Sequence, residues 1–135
     1  MSGTSETNHA PDRPAGPPTV LVADDQEEVR DLVRQILEPQ FQVREARNGR
    51  EVLDEVERLP VDLVILDLVM PDVEGIETLQ ILRCRRPDLR VLVMSGAFGG
   101  SFLQCARLLG AHAALKKPFS CDALLSSVHS LLQAA

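Results

Sequence analysis

The sequence predicts an α/β fold in which five βα units form a doubly wound, five-stranded parallel sheet. Short apolar runs of strand-forming residues alternate five times with stretches whose apolar residues recur at helical spacing. The central run, Leu63 to Leu66, is apolar without a break, as in a strand that is covered on both faces. Short connections and right-handed crossovers then place all strands in one parallel sheet with helices on both sides.

The first half of the predicted pattern ends at the central strand. Its helices carry apolar residues at positions i, i+3, i+4 and i+7, a spacing that gives each helix one apolar face. Asn48 and Gly49 mark a turn before the second helix. In order, the predicted elements are a strand Thr19 to Ala23, a helix Gln26 to Glu38, a strand Phe41 to Glu45, a helix Arg50 to Leu59 and a strand Leu63 to Asp67.

The second half follows a loop, Leu68 to Gly75, that lies beyond the central strand. A third helix begins after Gly75 and ends in a basic turn, Arg83 to Arg86, which complements the helix dipole and is predicted to be solvated. His129, on the last helix, is also predicted to be exposed. The other predicted elements are a strand Arg90 to Met94, a helix near Ser101 to Leu109, a strand Ala111 to Leu115 and a helix from about Ser120.

The composition predicts one globular domain preceded by a polar leader. Of the 135 residues, 44% are hydrophobic and 25% are charged, which is ordinary for a globular protein. Met1 to Pro18 is rich in Ser, Thr, Gly and Pro, and we expect it to be a disordered leader before a domain at residues 19–135. We find no signal-peptide pattern, and no apolar run approaches the ~18 residues of a membrane span.

Net charge and cysteine content disfavour a nucleic-acid-binding protein, a disulfide-rich protein and a protein with structural zinc. The net charge of -6 disfavours direct binding of nucleic acid, which normally requires a basic surface. Cys84, Cys105 and Cys121 are odd in number, widely spaced and without a C-x-x-C motif, which disfavours both a disulfide framework and structural zinc. Reduced thiols in a cytoplasmic protein fit this pattern best.

Polar side chains follow four of the five predicted strands. Asp24 and Asp25 follow the first strand, Asp67 the third, Ser95 the fourth and Lys117 the fifth. A single aspartate at such a position is usually no more than a cap on its strand. Because the carboxyl ends of parallel strands share one edge of the sheet, where ligands bind in open α/β folds, we expect the five side chains to meet there.

The chemistry of this set points to a phosphoryl group and a metal ion. Three carboxylates repel one another unless a cation lies among them. An all-oxygen ligand set selects a hard cation, and few protein ligands with room for water favour Mg²⁺ over Ca²⁺. A lysine and a hydroxyl add the donors that a phosphoryl group needs, and a carboxylate beside them is a nucleophile that can form an acyl phosphate.

At these residues the chain resembles the receiver domain of two-component response regulators, with the flavodoxin-like, CheY-like fold that this implies. The resemblance covers about Thr19 to Leu132, and its motifs in this order are highly specific. The matching pieces are Asp24-Asp25, D-L-V-M-P at Asp67 to Pro71 with Gly75 after it, V-M-S-G at Val93 to Gly96, and K-P-F at Lys117 to Phe119.

The resemblance implies a role for each of these residues. Asp67 would accept a phosphoryl group from a histidine kinase or histidine phosphotransfer protein, in a Mg²⁺-dependent reaction that switches binding to a downstream protein. Asp25 and Asp67 would bind Mg²⁺ with the backbone carbonyl of Val69, and Asp24 would assist, with a water as one route. Lys117 would pair with Asp67 and then with the phosphate, which Ser95 would also bind. Such a protein catalyses only its own phosphorylation and dephosphorylation.

Two departures from the family pattern bear on the output and on the lifetime of the phosphorylated state. The family usually carries an aromatic residue three positions before the lysine, where this chain has Ala114, so the usual coupling of hydroxyl to moving ring cannot operate. Val69 and Ala97 occupy positions whose side chains in the family influence the hydrolytic water. Since neither can orient a water molecule, we expect slow self-hydrolysis.

The leading hypothesis is a stand-alone receiver that acts by binding another protein, and four alternatives compete with it. The chain could be a fragment of a longer hybrid kinase or regulator, which the sequence leaves open. An aspartate-nucleophile phosphatase would carry a second acid two residues after the nucleophile, at Val69. An inactive interaction module would have lost pocket residues. A dinucleotide-binding domain would need a glycine-rich loop where this chain has Asp24 and Asp25.

Overall fold

Five strands alternate with five helices in the computed structural model, which describes residues 16–68, 74–96 and 102–133. The alternation follows the predicted order without a missing or added element. The elements are β1 (Thr19–Ala23), α1 (Glu27–Leu37), β2 (Gln42–Ala46), α2 (Gly49–Arg58), β3 (Leu63–Asp67), α3 (Glu74–Arg85), β4 (Arg90–Ser95), α4 (Phe102–Leu108), β5 (Ala113–Lys116) and α5 (Cys121–Gln133).

The strands form one parallel sheet in the order β2-β1-β3-β4-β5. The prediction of a doubly wound parallel sheet is therefore confirmed. The chain moves outward from β1 to β2, returns to β3 on the other side of β1, and continues to β4 and β5. The switch in direction lies between β1 and β3, where a crevice opens at the carboxyl ends of the strands.

The core has two halves, one on each face of the sheet, as the alternation of side chains along a strand requires. One half packs the sheet against α2, α3 and α4, and the other packs it against α1 and α5. All five residues of β3 are buried, with Asp67 only 3% exposed, so the central strand is covered on both faces. The buried strand residues in the first half are Leu21, Ala23, Ala46, Val64, Leu66, Val91 and Val93, and those in the second are Val20, Val22, Val43, Leu63, Ile65, Leu92 and Met94.

Two strands, β2 and β5, begin later than predicted because turn hydrogen bonds occupy the residues before each strand, and β2, β4 and β5 each end one residue later than predicted. Phe41 donates its N–H to the Leu37 oxygen at 3.0 Å, which closes α1 and delays β2 to Gln42. Ala111 donates its N–H to the Ala106 oxygen at 3.0 Å, and β5 begins only at Ala113. The prediction assigned Phe41 and Ala111 to strands because both are apolar. Both are indeed buried, but they lie in turns.

Two residues, His129, which was predicted to be exposed, and Leu32, which was placed on an apolar helix face, have a different environment. His129 is half-buried, its ring centroid lies 5.2 Å from that of Phe41, and its Nε2 lies 2.8 Å from Gln40 Oε1. Leu32, which matched the apolar spacing of α1, is 45% exposed.

The basic turn of α3 is part of the fold and not simply solvated. Arg86 donates from Nη1 to the Val56 oxygen at 2.9 Å, which ties α3 to α2. Arg83 donates to the Pro87 oxygen at 2.9 Å and stabilises the turn that leads into β4.

The predicted leader, Met1 to Pro18, lies mostly outside the described residues. At its end the Pro18 oxygen accepts a hydrogen bond of 2.9 Å from the Gln42 N–H. Within the part of the chain that the structure describes, no helix is both long enough and apolar enough to cross a membrane.

Candidate functional site

Asp24 and Asp25 lie between β1 and α1 and differ sharply in exposure. Asp24 is fully buried, whereas Asp25 is exposed. The Asp24 N–H donates to the Ala46 oxygen at 3.2 Å, and its Oδ1 accepts from the N–H of Gln26, which caps α1, at 2.8 Å. Asp24 is thus fixed by the strand and the helix, while Asp25 presents its carboxylate to solvent.

Asp67 ends β3 and completes a group of three carboxylates. Asp24, Asp25 and Asp67 each contribute an oxygen, and these oxygens lie within 4.8 Å of one another. Two of the carboxylates are buried and the third is exposed, so the group is open to solvent on one side. Carboxylate oxygens without nitrogen or sulfur ligands suit a hard cation such as Mg²⁺.

Lys117 follows β5 and joins two members of this group. Its Nζ lies 2.7 Å from Asp24 Oδ2 and 3.3 Å from Asp67 Oδ2. Burial by itself would lower the pKa of the Lys117 ammonium, but the hydrogen bond to Asp24 and the charges of Asp67 and Asp24 outweigh it and raise the pKa above its ordinary value. Lys117 therefore stays a cation, and its shorter contact is with Asp24.

Ser95 ends β4 at the same edge of the sheet. It is fully buried, and its backbone oxygen accepts a 2.9 Å hydrogen bond from the Lys117 N–H. β4 pairs with β3 so that Met94 lies opposite Asp67, and it pairs with β5 so that Ser95 lies opposite Lys116. The parallel register therefore places Ser95 between the strands that carry Asp67 and Lys117.

Gly75, in the first turn of α3, packs directly on the backbone of the central strand. A Cβ at this position would lie 2.3 Å from the Asp67 oxygen and 2.8 Å from the Leu68 Cα. Because backbone atoms cannot move aside as a flexible side chain can, only glycine lets α3 approach β3 this closely. Gly75 thus controls where the backbone of Asp67 lies.

The loops that complete the edge fall partly outside the described residues. These loops include Val69, whose backbone carbonyl was predicted to be a metal ligand, and Ala97, which was predicted to affect hydrolysis. Ala114 is described: it is half-buried in β5, lies opposite Val93 and packs against the core. Of the five residues predicted to meet at this edge, the side chains of Asp24, Asp25, Asp67 and Lys117 lie together, and the register places Ser95 at the end of the neighbouring strand β4.

Sequence reasoning missed one charged residue that contacts the site. Arg30 of α1 is 8% exposed and donates from Nη1 to the Asp24 backbone oxygen at 2.7 Å. The sequence did contain a signal, since Arg30 lies three and seven residues before Val33 and Leu37, on the buried face of α1. A charged residue at such a position needs a buried partner.

The family model described as the response regulator receiver domain matches residues 20–129. The chain belongs to this family. Receiver domains act as phosphoacceptors in two-component signalling and interact with histidine kinases or phosphotransfer proteins. This family assignment agrees with the fold and with the residues at the edge of the sheet.

Individual relatives support the same assignment. Sporulation initiation phosphotransferase F of Bacillus subtilis is 32% identical over 114 residues, which are 84% of this chain and 92% of that protein. Response regulator MprA of Mycolicibacterium vanbaalenii is 35% identical over 118 residues, which are 87% of this chain but 51% of that protein. The receiver domain of the Francisella response regulator 1452 superposes with a TM-score of 0.79 at 29% identity and covers 86% of this chain and 97% of that one.

Substitution of Gly75 tests whether the close approach of α3 holds the site in place. Alanine normally stabilises a helix by about 1 kcal/mol relative to glycine. Here the Gly75→Ala methyl group would meet the Asp67 backbone, and we expect a loss of about 1–3 kcal/mol in the free energy of unfolding, measured in urea.

Gly96→Ala is the matched control because a Cβ at Gly96 would approach nothing closer than the Lys117 Cβ at 3.4 Å. We expect Gly96→Ala to change the free energy of unfolding by much less. A Gly75→Ala variant as stable as the wild type would show that α3 does not constrain Asp67.

Proposed function

We propose that Asp67 is the phosphoacceptor of this receiver domain. It takes a phosphoryl group from a phosphohistidine on a histidine kinase or phosphotransfer protein, and the phosphorylated domain binds a downstream protein differently. The observation that carries the proposal is the ammonium of Lys117 within hydrogen-bond reach of both Asp24 and Asp67, at the edge where the three carboxylates meet. The reaction acts only on the domain itself.

The transfer reaction follows from the positions of the side chains. A carboxylate oxygen of Asp67 attacks phosphorus as the P–N bond to the donor histidine breaks, which gives an acyl phosphate and a histidine that recovers its proton from solvent. Lys117 supplies a fixed positive charge for the phosphoryl oxygens. Because Asp24 holds the ammonium at 2.7 Å, Lys117 can turn from Asp67 to the phosphate and keep its closer partner.

The three carboxylates and one ammonium carry a formal charge of -2, from three negative groups and one positive group, which a divalent cation neutralises. Mg²⁺ bound to this group would supply the positive charge that an anionic phosphoryl group needs to approach an anionic nucleophile. Asp25 and Asp67 would hold it, with Asp24 and the Val69 carbonyl as further ligands. The exposure of Asp25 supports this assignment, since Mg²⁺ usually keeps several waters.

The remaining site residues bear on the signal and on its lifetime. Ser95 would hydrogen-bond a phosphoryl oxygen, which would pull on the end of β4. Because β5 carries Ala114 where the family usually has an aromatic residue, no ring at this position can move with Ser95. The signal to a downstream protein would therefore pass through other groups. Val69 and Ala97 carry no polar group to orient a hydrolytic water, so the acyl phosphate is expected to be long-lived.

An apolar surface beside the pocket supports a protein as the phosphodonor. Val29, Leu32, Pro118 and Phe119 line this surface together with Lys117, and nearly all of the area they expose there is apolar. Leu32 and Pro118 are exposed, and Val29 and Phe119 are half-buried. A partner seated here would lie next to the ammonium that contacts Asp67. We refer to these four apolar residues as the donor patch.

The three cysteines are compatible with a cytoplasmic setting, which we also propose. Cys84, Cys105 and Cys121 are exposed free thiols, and such thiols persist best under reducing conditions. The boundary between a leader and the receiver domain, at Pro18 and Thr19, stays a prediction.

Substitution of Asp67 tests the phosphoacceptor directly. Incubation of the wild type with acetyl phosphate and Mg²⁺ should add one phosphate that is released by base and by hydroxylamine, as an acyl phosphate is. Asp67→Asn should lose the modification because the amide is not nucleophilic, as measured by intact-protein mass spectrometry.

Asp62→Asn is a matched control at the opposite end of β3, where Asp62 accepts a 2.8 Å hydrogen bond from the Thr19 N–H. It should be phosphorylated like the wild type. Undiminished labelling of Asp67→Asn would overturn the assignment of Asp67.

Substitution in the donor patch separates a protein donor from a small one. Leu32→Glu should slow phosphotransfer from a phosphorylated histidine protein at least about tenfold, because a buried charge would replace an apolar contact. Its rate with acetyl phosphate should match the wild type, because Leu32 does not contact the carboxylates. Both rates are measured by radiolabel transfer under single-turnover conditions.

Leu108→Glu is the control for an added acidic charge, since Leu108 on α4 is 87% exposed and lies outside the donor patch. This variant should transfer normally from both donors. If Leu32→Glu and Leu108→Glu accept phosphate from the protein donor at the same rate, the donor patch is not where that protein binds.

A further inference from the structure

Arg30 is a buried arginine that reaches the acidic group from outside the pocket. It lies in α1, on the face that also carries the buried residues Val33 and Leu37. Its Nη1 donates to the Asp24 backbone oxygen at 2.7 Å, and its Nε donates to Glu45 Oε1 of β2 at 2.9 Å. One guanidinium therefore joins the end of β1 to the neighbouring strand β2.

Stability alone does not explain an arginine at this position. Burial of a guanidinium costs rotamer freedom and hydration, and an apolar residue of similar volume often serves as well in place of a buried ion pair. The flanking positions on the same face of α1, at Val33 and Leu37, are apolar and fully buried. The geometry of the Asp24 carbonyl supplies another reason for Arg30.

Every polar group of Asp24 has a partner, and the partners come from β2, from α1 with its cap, and from the end of β5. The N–H donates to Ala46, Oδ1 accepts from the Gln26 N–H, and Oδ2 accepts from Lys117. The backbone oxygen accepts from Arg30. This oxygen belongs to the planar peptide group that joins Asp24 to Asp25. The hydrogen bond from Arg30 therefore fixes the orientation of that plane, which includes the Cα atom that carries the Asp25 side chain.

We propose that Arg30 is a positioning residue for the acidic group. Through the Asp24 carbonyl it orients the peptide that joins Asp24 to Asp25, so that the exposed carboxylate of Asp25 points toward the buried pair Asp24 and Asp67. Glu45 holds the guanidinium in place from β2. The inference rests on the proposed function, in which this acidic group binds a divalent cation.

Glu45 is itself fixed by a second arginine, which provides a control. Arg34, one turn further along α1, donates from Nε to Glu45 Oε2 at 2.9 Å. Burial by itself would raise the pKa of the Glu45 carboxyl, but hydrogen bonds from Arg30 and Arg34 lower it below its ordinary value. Arg34 also pairs with Glu38 and does not bond to Asp24. The two arginines share Glu45 and differ in their contact with Asp24.

The experiment compares Arg30→Gln with Arg34→Gln by two measurements on folded protein. The first is the Mg²⁺ dissociation constant, from a titration followed by amide chemical shifts. The second is the hydrogen-exchange rate of the Gln26 amide in metal-free protein, which reports on Asp24 because Gln26 donates to its carboxylate. We expect Arg30→Gln to weaken Mg²⁺ binding about tenfold and to speed exchange at Gln26, and Arg34→Gln to change each by less than about twofold.

Arg30→Lys separates positioning from a general loss of structure. A lysine can donate to the Asp24 oxygen but cannot also bond to Glu45 in the fixed fork of an arginine, so its Mg²⁺ affinity should lie between those of Arg30→Gln and the wild type. Wild-type Mg²⁺ affinity in Arg30→Gln would overturn the proposal. Equal weakening in Arg34→Gln would also overturn it, since the shared partner Glu45 would then account for the effect.

The two measurements distinguish failure of this inference from failure of the proposed function. If the wild type binds no Mg²⁺, the cation role of the acidic group is wrong, and exchange at Gln26 in the metal-free variants still decides whether Arg30 fixes Asp24. Unchanged exchange at Gln26 in Arg30→Gln would then overturn the positioning role. If the wild type binds Mg²⁺ and Arg30→Gln binds it equally, the function stands and the role of Arg30 is wrong.

Discussion

The contact of Lys117 with two buried carboxylates is the interaction on which the functional site depends. Its ammonium lies 2.7 Å from Asp24 and 3.3 Å from Asp67, and both aspartates are nearly inaccessible to solvent. Two unit charges about 4 Å apart near a protein surface interact by roughly 4 kcal/mol, so the repulsion between the two aspartates needs an opposing charge. Lys117 supplies that charge, and within residues 16–68, 74–96 and 102–133 no ammonium or guanidinium pairs with the exposed Asp25, which makes the edge of the sheet attractive to a further cation.

The parallel sheet makes this contact possible between residues that are 93 positions apart in the chain. β1 and β3 are neighbours although β2 separates them in sequence, and this places Asp24 beside Asp67. β4 and β5 continue the same direction and carry Ser95 and Lys117 to the same edge. The apolar strands bury the backbone behind the edge, and the local contacts of Gly75 and Arg30 then fix the individual side chains that the sheet brings together.

The amino-acid pattern was sufficient to predict the sheet and the convergence of Asp24, Asp25, Asp67 and Lys117 at one edge of it. Unbroken apolar strands and helical spacing identify the elements, and the parallel arrangement fixes which ends converge. The pattern could not predict that the Lys117 ammonium lies closer to the Asp24 carboxylate than to that of Asp67. The two distances depend on where the end of β5 lies relative to the ends of β1 and β3. It also could not predict the burial of individual residues of α1. Leu32 fits the apolar spacing of the helix and is exposed, whereas Arg30 is buried and donates to a backbone oxygen.

The central claim is that the edge of the sheet binds a divalent cation between Asp25 and Asp67, and crystals of the unphosphorylated protein grown with Mn²⁺ would test it most directly. Mn²⁺ prefers the same oxygen ligands as Mg²⁺ and scatters anomalously. We expect one strong anomalous peak within about 2.0–2.3 Å of a carboxylate oxygen of Asp25 and one of Asp67, with Lys117 still bonded to Asp24. A map without a peak at this edge, or with Mn²⁺ bound only elsewhere on the surface, would show that Asp25 and Asp67 do not hold a divalent cation.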